Sequence, residues 1–235
     1  DVVPSVHEDT DGVMRLVIAS VDYKYAKSAI SITERISKTY KWIPSNPEGF
    51  GVWFDEINEP FLKMVLKEQK ESIFKNYRSL FENSASVDDV PDFYVKSPLQ
   101  RTIQLLKRHR DIYYYRNKAI SEYRPASIII TSLAAKVAKN TPALSLEELL
   151  PHIVNGIADY AILLQGKVPE AKVAGEERNF IYKQESKWYI PNPVDPADNY
   201  ADSWSDEIAK AFFDWTEAVK RDLSETSCLN EMRYM

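Results

Sequence analysis

The stretch that most constrains this chain runs from Ser97 to Asp111: Ser-Pro-Leu-Gln-Arg-Thr-Ile-Gln-Leu-Leu-Lys-Arg-His-Arg-Asp. A serine followed by proline opens a helix, because the hydroxyl caps free amides and the ring's fixed φ suits the first turn. At about 100° per residue, Leu99, Ile103, Leu105, Leu106, Ile112 and Tyr113 share one broad face. Lys107 falls on the edge of that face and Arg110 inside it. Two readings of the lysine stand side by side. In one, the basic residues of a core helix snorkel to water and suit the helix dipole. In the other, the helix lifts a lysine out of the core to meet an anion. Arg110 reads as a buried ion-pair partner.

The chain has 235 residues, 44% hydrophobic and 28% charged, which is ordinary for a soluble globular protein with a sizeable core. A net charge of −5 argues against a wholesale nucleic-acid coat and leaves local binding of nucleic acid undecided. A single cysteine, Cys228, forms no internal disulfide, so a reducing, cytoplasmic setting is the expectation. No apolar run approaches the ~20 residues of a membrane span, so no membrane partner is expected. The start, Asp1-Val2-Val3-Pro4, has no basic leader and no methionine, and reads as a chain entered mid-domain. Glycine is scarce (6) and tyrosine plentiful (14), which suits a helical domain more than a Gly-rich phosphate loop.

In chain order, Asp1 to His7 reads as a strand broken by Pro4, Asp9 to Gly12 as a turn, and Val13 to Ala19 as the returning strand. The mixed pattern from Val21 to Thr39 predicts a helix or an ordered insertion. Tyr40 to Pro44 is extended, and Ser45-Asn46-Pro47-Glu48-Gly49-Phe50 is a turn or helix cap. A long helix follows to about Phe81, broken or kinked at Pro60. After a polar linker from Ser84 to Asp92 comes the helix that starts at Ser97. Pro125 precedes a buried helix over 126–136 that is apolar on nearly all sides. Leu144 to Leu164 is helical, with a Ser145-Leu146-Glu147-Glu148 capping pattern and a kink or restart at Pro151. Phe180 to Tyr182 and Lys187 to Pro191 form a small hairpin, and a Pro-rich loop over 192–199 leads to a last helix from Ser203 to about Leu223.

Few residues carry chemistry on their own account. There is no P-loop, no GxGxxG and no nucleophile elbow, and His7, His109 and His152 are too scattered for a metal site. The order of the remaining pieces is informative. The Ser97–Asp111 helix, then Pro125-Ala126-Ser127-Ile128-Ile129-Ile130-Thr131, then Asn192-Pro193-Val194-Asp195-Pro196-Ala197-Asp198-Asn199 with Trp204, resembles the C-terminal lobe of the cGAS-like nucleotidyltransferases. The likeness is to the bacterial cyclic-oligonucleotide synthases (CD-NTases), relatives of the oligoadenylate synthetases. Asp1-Val2-Val3-Pro4 looks like the strand with that family's third metal-binding acid, and Trp42 to Phe54 like its Trp…Ser-Asn-Pro-Glu-Gly-Phe segment.

That resemblance implies an α+β chain: the remainder of a polymerase-beta-like nucleotidyltransferase palm in residues 1–60 and a mostly helical C-terminal lobe in 61–235. It implies transfer of a nucleotidyl group from a nucleoside triphosphate (ATP, GTP, UTP or CTP) with Mg²⁺ or Mn²⁺ held by three carboxylates. Asp1 would be the third acid, catalytic and metal-binding, where a strand-end aspartate on its own is a solvated or capping group. Lys107 would reach the triphosphate as a point charge on a flexible stem. Ser127 would add a hydroxyl from the next helix, where on its own it is a plain helix-start residue. The loop 192–199 either lines the pocket or is a structural turn. The implied product is a cyclic or linear oligonucleotide second messenger in antiphage signalling, with regulatory or effector proteins of a defence operon as partners. The family's opening signature, Gly-Ser followed by an Asp-x-Asp pair, is absent, since no Gly-Ser dipeptide occurs. Ile128 stands where some relatives have a base-stacking tyrosine. The chain alone is therefore expected to be inactive. The rival readings are a non-catalytic helical module that binds nucleotide, RNA or protein, and a template-independent polymerase acting on RNA 3′ ends.

Overall fold

A short strand, β1 (Ser5–His7), comes first among the described residues, which in this computed structural model are 4–36, 39–77, 86–167 and 180–233. Asp9 then caps a helix, α1 (Thr10–Ile18), by accepting the Gly12 amide at 2.8 Å. This replaces the strand expected over Val13–Ala19. The cap fixes the first turn, and Leu16 with Val13 and Val17 packs on Val21, Ala26 and Ala29, a helical spacing rather than a strand's. One helical turn, α2 (Tyr23–Ala26), leads into β2 (Ile30–Ile36), which pairs back to β3 (Thr39–Ser45). The helix or ordered insertion expected between Val21 and Thr39 is thus one helical turn followed by a strand. Its β-branched Ile30 and Ile32 have partners on both sides, in His7 and Ser5 and in Ser45 and Ile43, and Thr33 pairs with Trp42. The sheet is antiparallel in the order β1-β2-β3.

Asn46 turns the chain out of the sheet. Its Oδ1 accepts the Gly49 amide at 2.9 Å and the Ser28 hydroxyl at 3.1 Å, while its Nδ2 donates to the Tyr25 carbonyl at 2.9 Å. A Cβ at position 49 would lie 2.6 Å from that carbonyl, so glycine is required by the close approach. The long helix α3 (Pro47–Asn76) follows and passes through Pro60 without ending. Pro60 is exposed, where water can satisfy the carbonyl that loses its donor. The division at 60/61 falls inside this helix. The last part expected to be helical, toward Phe81, lies outside the described residues.

After two single turns at Val87–Asp89 and Asp92–Tyr94, Ser97 caps α4 (Pro98–Arg116) in a capping box with Gln100. The buried Ser97 hydroxyl also donates to Asn58 Oδ1 on α3, which pins the two helices together. The buried face of α4 is Leu99, Thr102, Ile103, Leu106, Arg110 and Tyr114. Leu105, expected on that face, is 46% exposed. The stripe is centred nearer Arg110, because the guanidinium finds partners and can stay inside.

α5 (Ser127–Ala138) and α6 (Leu146–Ala158) pack against α4, and a 3₁₀ segment continues from Asp159 to Gln165. The small hairpin forms as β4 (Tyr182–Gln184) and β5 (Lys187–Tyr189). The Pro-rich stretch is a second hairpin, β6 (Pro191–Asn192) with β7 (Asp195–Asn199), rather than a loop. Asn199 accounts for this: its Oδ1 accepts the Ile190 and Ala201 amides at 2.9 and 3.0 Å, and its Nδ2 donates to the Trp188 carbonyl at 2.9 Å. The last helix, α7 (Asp206–Arg233), closes the body. One apolar cluster joins Trp53, Ile57 and Phe61 of α3 to α4, α5, α6 and to Phe212, Phe213 and Trp215 of α7. Among the described residues no helix is long and apolar enough to cross a membrane.

Candidate phosphate-binding site

Arg110 is the hub of the site. It lies inside the apolar face of α4, 7% exposed, and a bare guanidinium there would be costly. The fold supplies acceptors. Nε and Nη2 donate to Asp111 Oδ1 at 3.0 and 2.8 Å, and Nη1 donates to the Pro125 carbonyl at 2.9 Å and to Ser127 Oγ at 3.1 Å. The ion-pair reading of Arg110 is therefore met by its chain neighbour. The contact with Ser127 was not foreseen, because sequence spacing does not show which side chain bridges two helices.

Ser127 is exposed at the first turn of α5, and the residue before it, Ala126, makes no side-chain cap. The first amides of α5 thus lack the serine, threonine or aspartate oxygen that usually serves them, and they add a local preference for an anion. Lys107 lies one turn before Arg110 on α4 and is half-buried. No carboxylate pairs with it among the described residues. Burial first, and the neighbouring Arg110 charge second, hold its ammonium below the ordinary lysine range. Asp111 is shared, since Arg124 Nη1 also approaches its Oδ1 at 3.7 Å. Two arginines therefore share one carboxylate, while Lys107, one turn before Arg110 on α4, pairs with none among the described residues.

A cleft of about 620 Å³ adjoins this cluster, lined by Arg108, Asp111, Tyr115, Lys118, Ser121 and Arg124 among others. Lys118 Nζ sits 3.9 Å above the Tyr115 ring centroid, a cation–π contact that leaves the ring's other face to solvent. Arg108, Lys118 and Arg124 make this cleft positive, and it meets the Arg110 cluster at Asp111, while Lys107 and Ser127 are not among its lining residues.

The other expected site residues fare differently. Asp1 lies outside the described residues. Mg²⁺ and Mn²⁺ prefer oxygen ligands in numbers, and among the described residues no group of three His, Cys, Asp or Glu could hold a metal ion. The groups gathered around Arg110 are cations, a hydroxyl and helix-start amides, a set whose chemistry suits an anion. In the 192–199 stretch, Asp195 is buried and tied to Arg15 by two bonds of 3.1 and 3.2 Å, so its role is structural. Asn192, Pro193 and Pro196 line a smaller cavity, together with Lys136. Trp204 is packed in the core, 5.0 Å from the Phe212 ring. Ile128 packs against the main core and offers no aromatic face. Lys136 escaped sequence reading altogether. Its only signal is a lysine within a helix that is otherwise apolar all round.

No family model matches the chain, and no solved structure matches it. It is similar to a curated protein named c-di-GMP synthase from Roseivirga ehrenbergii, 29% identical over 190 residues. The match covers 80% of this chain and 40% of that relative, so the chain spans well under half of the relative's length.

Proposed function

We propose that this chain is the triphosphate-holding part of a nucleotidyltransferase that makes a cyclic or linear oligonucleotide second messenger. The observation that carries the proposal is Lys107, a half-buried ammonium with no carboxylate partner among the described residues. It stands near Arg110, and Arg110 in turn touches Ser127 at the uncapped start of α5. Such an arrangement is unfavourable while empty and becomes favourable when an anion arrives. The similarity to a c-di-GMP synthase supports reading that anion as the phosphates of a nucleoside triphosphate, with GTP the first to test.

In the proposed reaction a ribose hydroxyl attacks the α-phosphorus of a bound triphosphate. A new P–O bond forms, the bond to pyrophosphate breaks, and the hydroxyl proton passes to solvent or a base. Lys107 and the α5 amides would steady the charge on the departing phosphates, and Arg110 would hold the Ser127 hydroxyl in place. Divalent metal chemistry requires carboxylates that the described residues do not gather. Asp1 is proposed as one of them. The palm-like role of the sheet, a place in antiphage signalling and a cytoplasmic setting belong to the same proposal.

The test uses the full-length protein with labelled GTP, ATP, UTP and CTP and Mg²⁺ or Mn²⁺, followed by phosphatase treatment. A phosphatase-resistant product, lost in Lys107→Gln, is the expected result. Triphosphate binding without any product would favour a non-catalytic nucleotide-binding module. No binding at all would sink both readings.

A further inference from the structure

Among the described residues Lys136 is a second cation taken largely out of water with no carboxylate partner. From position 127 to position 136, α5 advances about 13 Å and turns half-way round, so Lys136 points away from the phosphate site. Its ammonium is largely buried and donates to the Pro191 carbonyl at 2.5 Å on the neighbouring hairpin. A lysine in the last turn of a helix suits the dipole, yet this one reaches across to another element. One neutral carbonyl is a poor match for a group with three donors and a full charge. Burial lowers its pKa to about 8, as expected of a cation waiting for an anion.

The surroundings look like a ligand pocket more than a strut. A cavity of about 270 Å³ opens at Lys136, and no carboxylate is among its lining residues. Lys139 and Asn140 add a second charge and an amide, while Trp53, Phe180 and Pro193 supply flat apolar walls. The volume falls just below the roughly 300–1,000 Å³ of common ligand sites, which suits a mononucleotide and is too small for a dinucleotide.

We infer that the cavity between α5 and the β6–β7 hairpin is a second anion site, which takes the phosphate of a mononucleotide-sized ester on Lys136 and Lys139 and its planar ring against Trp53 and Phe180. This site does not depend on the triphosphate reading of Lys107, and the two can fail separately.

The experiment is isothermal titration of the full-length Lys107→Gln protein, in which the first site is disabled, with 5′-GMP, 5′-AMP, inorganic phosphate and guanosine. Saturable binding of a monophosphate is expected, tighter than phosphate alone, with none for guanosine. Adding Lys139→Gln, an exposed change that spares the fold, should weaken it about tenfold or more, and Lys136→Gln should do the same. Equal binding of phosphate and monophosphate would overturn the ring half of the inference, and equal binding of guanosine would overturn the phosphate half. Absence of monophosphate binding, or binding untouched by both lysine changes, would overturn it entirely.

Discussion

Around α1 and the three-stranded sheet the buried apolar residues are Leu16, Val21, Ala26 and Ala29, a small cluster of its own. From α3 onward the body buries Trp188, Trp215, Tyr114, Tyr160, Phe61 and Phe212 in one continuous core. The sheet end leans instead on polar contacts. Arg15 grips Asp195, Asn46 ties Ser28 and Tyr25 to the start of α3, and Glu56 accepts from Lys24 at 2.7 Å and from the Tyr25 hydroxyl at 2.5 Å. Val6, Tyr40 and Trp42 stay about half exposed or more on the sheet. The difference places the candidate phosphate site, Lys107 and Ser127, on the rigid side, where packing fixes it. The sheet end is the side whose position depends on a few named bonds.

The largest test of that contrast is Arg15→Ala. It leaves the buried Asp195 carboxylate unmatched, and with the arginine partly in water the cost is about 3 kcal/mol, the low end for such pairs. Hydrogen exchange should show amides of β1, α1 and β2 losing protection while α5 and α6 keep theirs. Equal loss in both regions would end the division.

Lys136 tests the body alone. Its folded pKa of about 8 lies below the ordinary 10.5, so between those values the unfolded chain binds a proton that the folded chain does not. Stability therefore rises with pH across that window, by on the order of 3 kcal/mol, and the burial cost is fully present below pH 8. Urea denaturation at pH 7.5 and 10.5 should show the rise, and Lys136→Met should abolish it.

For Lys107→Gln, triphosphate affinity should fall at least tenfold, about 1.4 kcal/mol or more, with the melting temperature unchanged or slightly raised. A matching fall in stability would mark the lysine as structural. The smallest effect is expected of Ser132→Ala. The Ser132 hydroxyl is buried without a hydrogen-bond partner among the described residues, so removing it should stabilise the body by under about 1 kcal/mol in chemical denaturation.

Helix starts were legible in the sequence because caps are local. Ser97 with Gln100, Ser145 with Glu148 and Asn46 with Gly49 each place donor and acceptor three residues apart. The sheet end was not, because β2 takes its partners from both sides, and alternation in Val13–Ala19 imitated a strand that Asp9 turns into a helix. At the candidate site, Lys107 was visible as a charge on the edge of an apolar face. The Arg110–Ser127 contact and the reach of Lys136 to Pro191 join residues on different elements, and no periodicity reports such a meeting.

The Arg15–Asp195 clasp also says something about the order of folding. It joins residues 180 positions apart, whereas the β2–β3 hairpin closes over a few residues. Closing so long a loop is entropically costly until the body has already formed. The clasp is thus a late contact, and its loss should speed unfolding more than it slows folding. Stopped-flow traces of Arg15→Ala would show an unfolding limb raised without change of slope over an almost unmoved refolding limb, as if a latch had been taken off a door that still swings shut at its usual pace.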